Sequence, residues 1–282
     1  MRRFIALNLL FLFSFSCFAI AQNEQNIEPD EIVPFKIVTG DTLCLHIFQP
    51  QVKRDGPVAA IVFFFGGGWV NGTAAHFYYQ SRHLADRGMV VVCAEYRIFS
   101  IHGTTPYECV IDGKSAMRWV REHAADLGID PDRIAAGGGS AGGHVAASTA
   151  LVHGFEEPGE ERTVSSVPDA LVLFNPVIDT SEKGYGHEKC GVDWRLISPT
   201  HLVRPGLPPT VIFHGTADST VPFENVERFT RLMTENGNSC TLYPYPGQVH
   251  GFFNYGRGEN QFYMDTVEKM DRFLSSIGYL TE

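Results

Sequence analysis

Basic residues are scarce in this 282-residue chain, and charge of either sign is modest. Lys and Arg total 22 against 32 Asp and Glu, a net charge of −10, and charged residues make up only 19%. No Lys/Arg cluster occurs downstream of the N-terminus. That balance disfavours phosphate backbones and anionic lipid surfaces, so neither nucleic acid nor a membrane surface is expected as a partner. Metal-ligand spacing is missing too, since neither H-E-x-x-H nor C-x-x-C occurs. The Gly-rich loop Gly66-Gly67-Gly68 fits neither G-x-G-x-x-G nor a cradle with a trailing Lys-Ser/Thr, which argues against a phosphate-binding loop there. No cofactor and no metal is therefore expected. Internal repeats and low-complexity tracts are absent, and nothing signals oligomerisation. What remains is a chain 44% hydrophobic, enough to bury a sizeable core.

An N-terminal apolar segment stands apart from the rest. Arg2 and Arg3 precede the run from Phe4 to Ala21, which ends Ala19-Ile20-Ala21 before Gln22. A positive start, an apolar middle and a small-residue end predict a secretory signal peptide cut after Ala21. An uncleaved membrane anchor is the competing reading. A lipoprotein reading through Cys17 lacks the usual preceding leucine. The expected organisation is residues 1–21 as signal peptide and 22–282 as one domain, in a secreted or periplasmic protein. The mature chain keeps five cysteines, Cys44, Cys93, Cys109, Cys190 and Cys240. An odd count leaves at least one unpaired. Cys93 sits in an apolar run and reads as a small buried hydrophobe.

Periodicity predicts an α/β fold. Ile32 to Val38 and Thr42 to Phe48 read as a hairpin around Thr39-Gly40-Asp41. Val58 to Phe65 is continuously apolar, as a strand buried on both faces must be. Further strands are expected at Met89–Ala94, Arg133–Gly137, Ala170–Phe174, Thr210–Phe213 and Ser239–Tyr243. Helices are expected at Phe77–Arg87, Pro106–Ala125, Ser140–Val152, Phe223–Asn236 and Phe262–Ile277. Such alternation implies a mainly parallel, doubly wound sheet. Thr180 to Pro209 has no clean period and falls between two core strands. It is a candidate lid or substrate-facing loop at the carboxyl edge of the sheet, where open α/β sheets bind ligands.

Three motifs carry chemistry, each following a strand. Gly138-Gly139-Ser140-Ala141-Gly142 fits G-x-S-x-G between a strand and an Ala-rich helix. A strand turning straight into a helix exposes the serine hydroxyl, and the helix N-terminus points positive charge at it. Phe65-Gly66-Gly67-Gly68-Trp69 offers bare backbone N–H groups to a developing oxyanion, with Gly67, Gly68 and Ala141 as donors. Asp218 follows the strand Thr210 to Phe213, and His250 lies in a Gly-flanked loop after the last strand. The assignment is Ser140 as nucleophile, His250 as base and Asp218 as orienter. Asp179 competes as the acid and His214 as the base, the latter expected to be a structural hydrogen-bonder. His46, His76, His83, His102, His123, His144, His153, His187 and His201 read as surface or core polar groups. Glu95, Arg97 and Asp112 read as a buried structural ion pair.

These motifs together resemble the esterase and lipase branch of the α/β-hydrolases. The resemblance runs from Val58 to the C-terminus. It rests on Gly66-Gly67-Gly68-Trp69, Glu95-Tyr96-Arg97, Gly128-Ile129-Asp130-Pro131, Gly138 to Gly143, His214 to Pro222 and His250-Gly251-Phe252. It is most similar to carboxylesterases related to hormone-sensitive lipase and to bacterial acetyl-esterases acting on plant polysaccharides. The resemblance implies an α/β-hydrolase fold with a small or absent cap. It also implies a serine carboxylesterase acting on short-chain acyl, chiefly acetyl, esters through an acyl-enzyme, with a small-molecule or carbohydrate ester as partner. One departure stands out: that family's oxyanion motif opens with His, and here the place holds Phe65, so packing is expected to brace the loop. The alternative activity is that of a prolyl-oligopeptidase-like serine peptidase, which shares the fold and the Ser, Asp, His order.

Overall fold

The computed structural model describes residues 27–51 and 55–280. The segment read as a signal peptide lies outside them, as does Cys17. Eight strands form one sheet: β1 Glu31–Val38, β2 Asp41–Phe48, β3 Val58–Phe64, β4 Val90–Ala94, β5 Ile129–Gly139, β6 Ala170–Phe174, β7 Thr210–Gly215 and β8 Cys240–Tyr245. Their spatial order is β1-β2-β4-β3-β5-β6-β7-β8. Pairings from β4 through β8 are parallel, while β2 runs antiparallel to β1 and β4. The mainly parallel sheet is the one expected from the strand and helix alternation, and the architecture is the α/β-hydrolase one that the resemblance implies.

Side chains of β3 show why its apolar run is continuous. Ala60, Val62 and Phe64 enter one core, with residues of the helices Pro106–Glu122, Ala141–Leu151 and Phe223–Glu235. Ala59, Ile61 and Phe63 enter the other, with the helices Tyr78–Asp86 and Gln261–Ser276. Successive strand residues point to opposite faces, and both faces are covered, so no polar position is tolerated.

Most expected elements appear within a few residues of their sequence-based bounds. β5 is the main exception, at 11 residues rather than the five of Arg133–Gly137. It runs through the polar Asp130-Pro131-Asp132-Arg133, where alternation disappears. β7 also extends to include His214 and Gly215. The excursion between β6 and β7 is not featureless. It holds the short helical turns His187–Cys190, Gly191–Ile197 and Pro199–Leu202.

All five cysteines among the described residues are free, and Cys93 is buried as expected. Asp112 has a fully buried side chain and pairs with Arg97 and Lys36, each at 2.7 Å. Glu95 is not part of that cluster. It accepts from the Cys44 N–H and faces His46.

His144, on the helix that starts after Ser140, ties the excursion to the core by donating from Nε2 to the Ile197 carbonyl at 2.7 Å. Burial pushes its pKa down from 6.5 to about 4, against the opposing effect of that hydrogen bond. Between those values the unfolded chain binds the extra proton, so stability is lost as pH falls. The expected loss from this group is roughly 3 kcal/mol between pH 6.5 and 4. Urea unfolding across that range should show a shallower pH slope for His144→Gln than for the native chain. Equal slopes would refute this account.

Candidate active site

Because β3, β5, β7 and β8 are parallel, their carboxyl ends share one edge of the sheet. The loop after β3 carries Gly66 to Gly68, β5 leads directly to Ser140, β7 leads to Asp218, and β8 leads to His250.

Ser140 sits at φ 55, ψ −121, between the last residue of β5 and the first of the helix Ala141–Leu151. An L-residue there costs about 1–3 kcal/mol and persists only where its surroundings dictate it. Glycines make the surroundings possible. A Cβ on Gly142 would lie 2.1 Å from the Phe64 carbonyl oxygen, and one on Gly138 would lie 2.5 Å from the Gly142 carbonyl. Helix and strands therefore approach backbone to backbone. The Ser140 N–H donates to the Phe174 carbonyl at 3.0 Å, and its own carbonyl accepts from His144 and Val177.

The imidazole of His250 bridges two partners. Its Nε2 stands 2.9 Å from Ser140 Oγ, and its Nδ1 stands 2.7 Å from Asp218 Oδ2. An ionised Asp218 can only accept, so Nδ1 carries the proton and Nε2 is free to take one from Ser140. Asp218 is itself fixed by N–H groups of Thr220 and Val221, each 2.9 Å from Oδ1. Burial pushes its pKa up, yet hydrogen bonds from His214, His250 and Val221 outweigh that and hold it well below the usual carboxylate range. It stays charged at any working pH.

The rivals fall away on geometry. His214 is fully buried, with Nε2 3.0 Å from the Val221 carbonyl and 3.3 Å from Asp218 Oδ2. It supports the carboxylate and makes no contact with Ser140. Asp179 pairs with Arg228 and accepts the Ser181 N–H.

The loop of His250 is anchored on both sides. Gly215 would place a Cβ 2.2 Å from the Gln248 carbonyl oxygen, so only glycine lets β7 pass there. The Gly251 N–H donates to Asn175 Oδ1 at 2.9 Å. Asn175 was not legible in the sequence, although it sits at φ 33 directly after β6, where Asn is among the residues that tolerate positive φ.

Gly67 and Gly68, at φ 128 and 64, line a cavity of about 270 Å³ with Ser140, His250, His76, Asn175, Tyr185, Thr220 and Asn254. Phe65 is braced by stacking on Tyr96 at 4.1 Å, and the Tyr96 hydroxyl donates to the Phe65 carbonyl. Packing is thus only part of the bracing. His76 Nδ1 accepts the Gly66 N–H at 2.9 Å, a contact that its grouping with surface or core polar residues did not foresee. Tyr185 brings the excursion to the cavity, as expected of a substrate-facing segment. A second cavity, about 320 Å³ and mainly apolar, lies across Gly68 beside Trp69, Phe99 and Lys189 and contains neither Ser140 nor His250. No cluster of metal-ligating side chains occurs among the described residues.

This arrangement matches known proteins. Residues 45–183 match the BD-FAE family model and residues 184–277 the dienelactone hydrolase family model. Carboxylesterase NlhH of Mycobacterium tuberculosis is 32% identical over 233 residues, 75% of this chain and 71% of that one. The chain belongs to the α/β-hydrolase esterases. Among solved structures, apo Thermogutta terrifontis esterase 2 superposes with a TM-score of 0.86 at 48% identity, covering 89% of this chain and 96% of that one. Isoprenylcysteine alpha-carbonyl methylesterase ICME of Arabidopsis thaliana is 28% identical over 229 residues, and the chain spans about half of it, 53%. As a member of this family the chain is a carboxylic ester hydrolase of the hormone-sensitive lipase-like type.

Asp218→Asn tests the relay. The amide cannot hold the Nδ1–H tautomer, so kcat on p-nitrophenyl acetate should fall about 10³- to 10⁴-fold with the melting temperature little changed. A loss under about tenfold would remove Asp218 from the relay.

Proposed function

We propose that this esterase hydrolyses short-chain acyl esters, chiefly acetyl esters of plant polysaccharides, by a serine acyl-enzyme mechanism outside the cytoplasm. The observation that carries this reading is the Ser140, His250, Asp218 relay opening into one small cavity beside Gly67 and Gly68.

Ser140 Oγ adds to the ester carbonyl carbon while its proton passes to His250 Nε2. The N–H groups of Gly67, Gly68 and Ala141 hold the resulting oxyanion, and such donors are each worth a few kcal/mol in the transition state. Collapse expels the alcohol, which takes the proton from His250. Water then attacks the acyl-enzyme with His250 again as base, releasing the acid and restoring Ser140. Asp218 stabilises the imidazolium in both halves.

Cavity size favours a short acyl group. Its polar lining, with Asn175, Tyr185, Thr220 and Asn254, suits hydroxyl-rich alcohols. Thermogutta terrifontis esterase 2 is known bound to propionate and to butyrate, and phosphonylated by sarin. The positive start and apolar run of residues 2–21 support export.

Ser140→Ala should lower kcat on p-nitrophenyl acetate about 10⁵- to 10⁶-fold. The native chain should prefer acetate to octanoate esters and release acetate from acetylated xylan. Turnover by Ser140→Ala would sink the nucleophile, octanoate preference the short acyl group, and inert xylan the carbohydrate. Export is tested by expressing the full chain and locating the mature N-terminus; retention in the cytoplasm uncut at Ala21 would reject it.

A further inference from the structure

His76 has no place in the relay, yet it lines the same cavity as Ser140 and His250. It sits on a single helical turn, Ala74–Phe77, which Trp69 to Thr73 join to the glycine loop. Two contacts define its state. Nδ1 lies 2.9 Å from the Gly66 nitrogen, and Nε2 lies 2.8 Å from Asn254 Oδ1. A backbone N–H can only donate, so Nδ1 must be the unprotonated nitrogen. Nε2 then carries the proton, and Asn254 must offer its oxygen. One backbone group thereby fixes both a tautomer and an amide orientation. Burial lowers the pKa of His76, and positive charge on His250 when it is protonated and on Arg257 acts the same way, against the hydrogen bond to Asn254. The neutral form that the geometry requires is the form the surroundings favour.

Both ends of this bridge are catalytic loops. Gly66 precedes the oxyanion donors Gly67 and Gly68. Asn254 lies in the turn after His250, its N–H donating to the Gly251 carbonyl at 3.2 Å. Arg257 from the same turn donates to the His250 carbonyl at 3.0 Å. The His76 ring is flanked by Phe77 and Phe253, with centroids 5.1 and 6.0 Å away, which restricts its tilt. Gly66 approaches so closely that a Cβ there would lie 3.1 Å from the imidazole Cε1.

We infer that His76 is a positioning residue that locks the oxyanion loop to the His250 loop through Asn254, so that the N–H donors and the base keep one mutual geometry during turnover. It supplies from position 76 a brace that Phe65 cannot, since a phenyl ring accepts no N–H in the loop plane. The inference rests on the proposed serine mechanism. Its role would be felt where oxyanion geometry matters, in kcat and in tetrahedral-adduct binding, rather than in ground-state binding.

The test compares His76→Ala, His76→Asn, Asn254→Ala and the double variant His76→Ala/Asn254→Ala in the full chain. The assays are p-nitrophenyl acetate kinetics, phenylboronic acid inhibition as a tetrahedral mimic, and melting temperature. His76→Ala should lower kcat about 10- to 100-fold, less than or comparable to loss of an oxyanion donor, with KM changed under about threefold. The boronic acid inhibition constant should rise in parallel. Asn Oδ1 occupies the place of Nδ1 but cannot reach Asn254, so His76→Asn should accept the Gly66 N–H and recover the loss only to the level of Asn254→Ala. Asn254→Ala should cost less than His76→Ala, and the double variant should lose no more than His76→Ala alone, because the two act as one unit. Turnover of His76→Ala within twofold of the native chain would overturn the inference. So would His76→Asn no better than Ala, a rise in KM at constant kcat, or additive losses. Should His76→Ala fail to fold, Asn254→Ala decides alone: kcat and boronic acid binding must weaken together, or the inference falls. A native chain without esterase turnover would instead sink the proposed mechanism itself.

Discussion

The site depends on one steric constraint, the backbone-to-backbone approach of the helix Ala141–Leu151 to β3 and β5. Gly138 and Gly142 permit it, since side chains at either place would collide with carbonyl oxygens of Phe64, Phe65 or Gly142. That approach holds Ser140 at positive φ, and the strain is maintained by the surrounding sheet rather than by the serine itself. It also sets Ala141 in the first turn of a helix and brings Gly142 against the Phe64 and Phe65 carbonyls at the end of β3. The exposed position of Ser140 is therefore a consequence of one packing contact.

Electrostatics completes what sterics begins. Asp218 is buried, which alone would favour its neutral form. Two backbone N–H groups, His250 and His214 outweigh that burial and keep the carboxylate charged. The charge can then orient His250 at no reorganisation cost during reaction. His214, the competing histidine in the sequence, is one of the groups that make this possible.

The excursion between β6 and β7 reaches both cavities at the edge of the sheet. It brings Tyr185 to the catalytic cavity and Lys189 to its apolar neighbour. His144, in the helix that starts after Ser140, holds it by way of Ile197. Substrate-facing and catalytic parts are thus fastened to one element.

The sequence by itself determined the sheet, its buried strands, the strand-helix alternation and the identities of Ser140, Asp218 and His250. These are local signals: a period of two or 3.6, a glycine pair around a serine, and motifs that each follow a strand. It left the true length of β5 hidden, because polar residues at its start break the alternation. It also left Asn175, Asn254 and His76 unmarked. Tertiary structure decided those, since their partners are 76, 178 and 10 residues away in the chain and no periodicity encodes such meetings. His76 is the clearest instance. Its residue type suggested nothing beyond a polar group, and only the arrival of the Gly66 N–H and Asn254 on either side of its ring gave it an orientation.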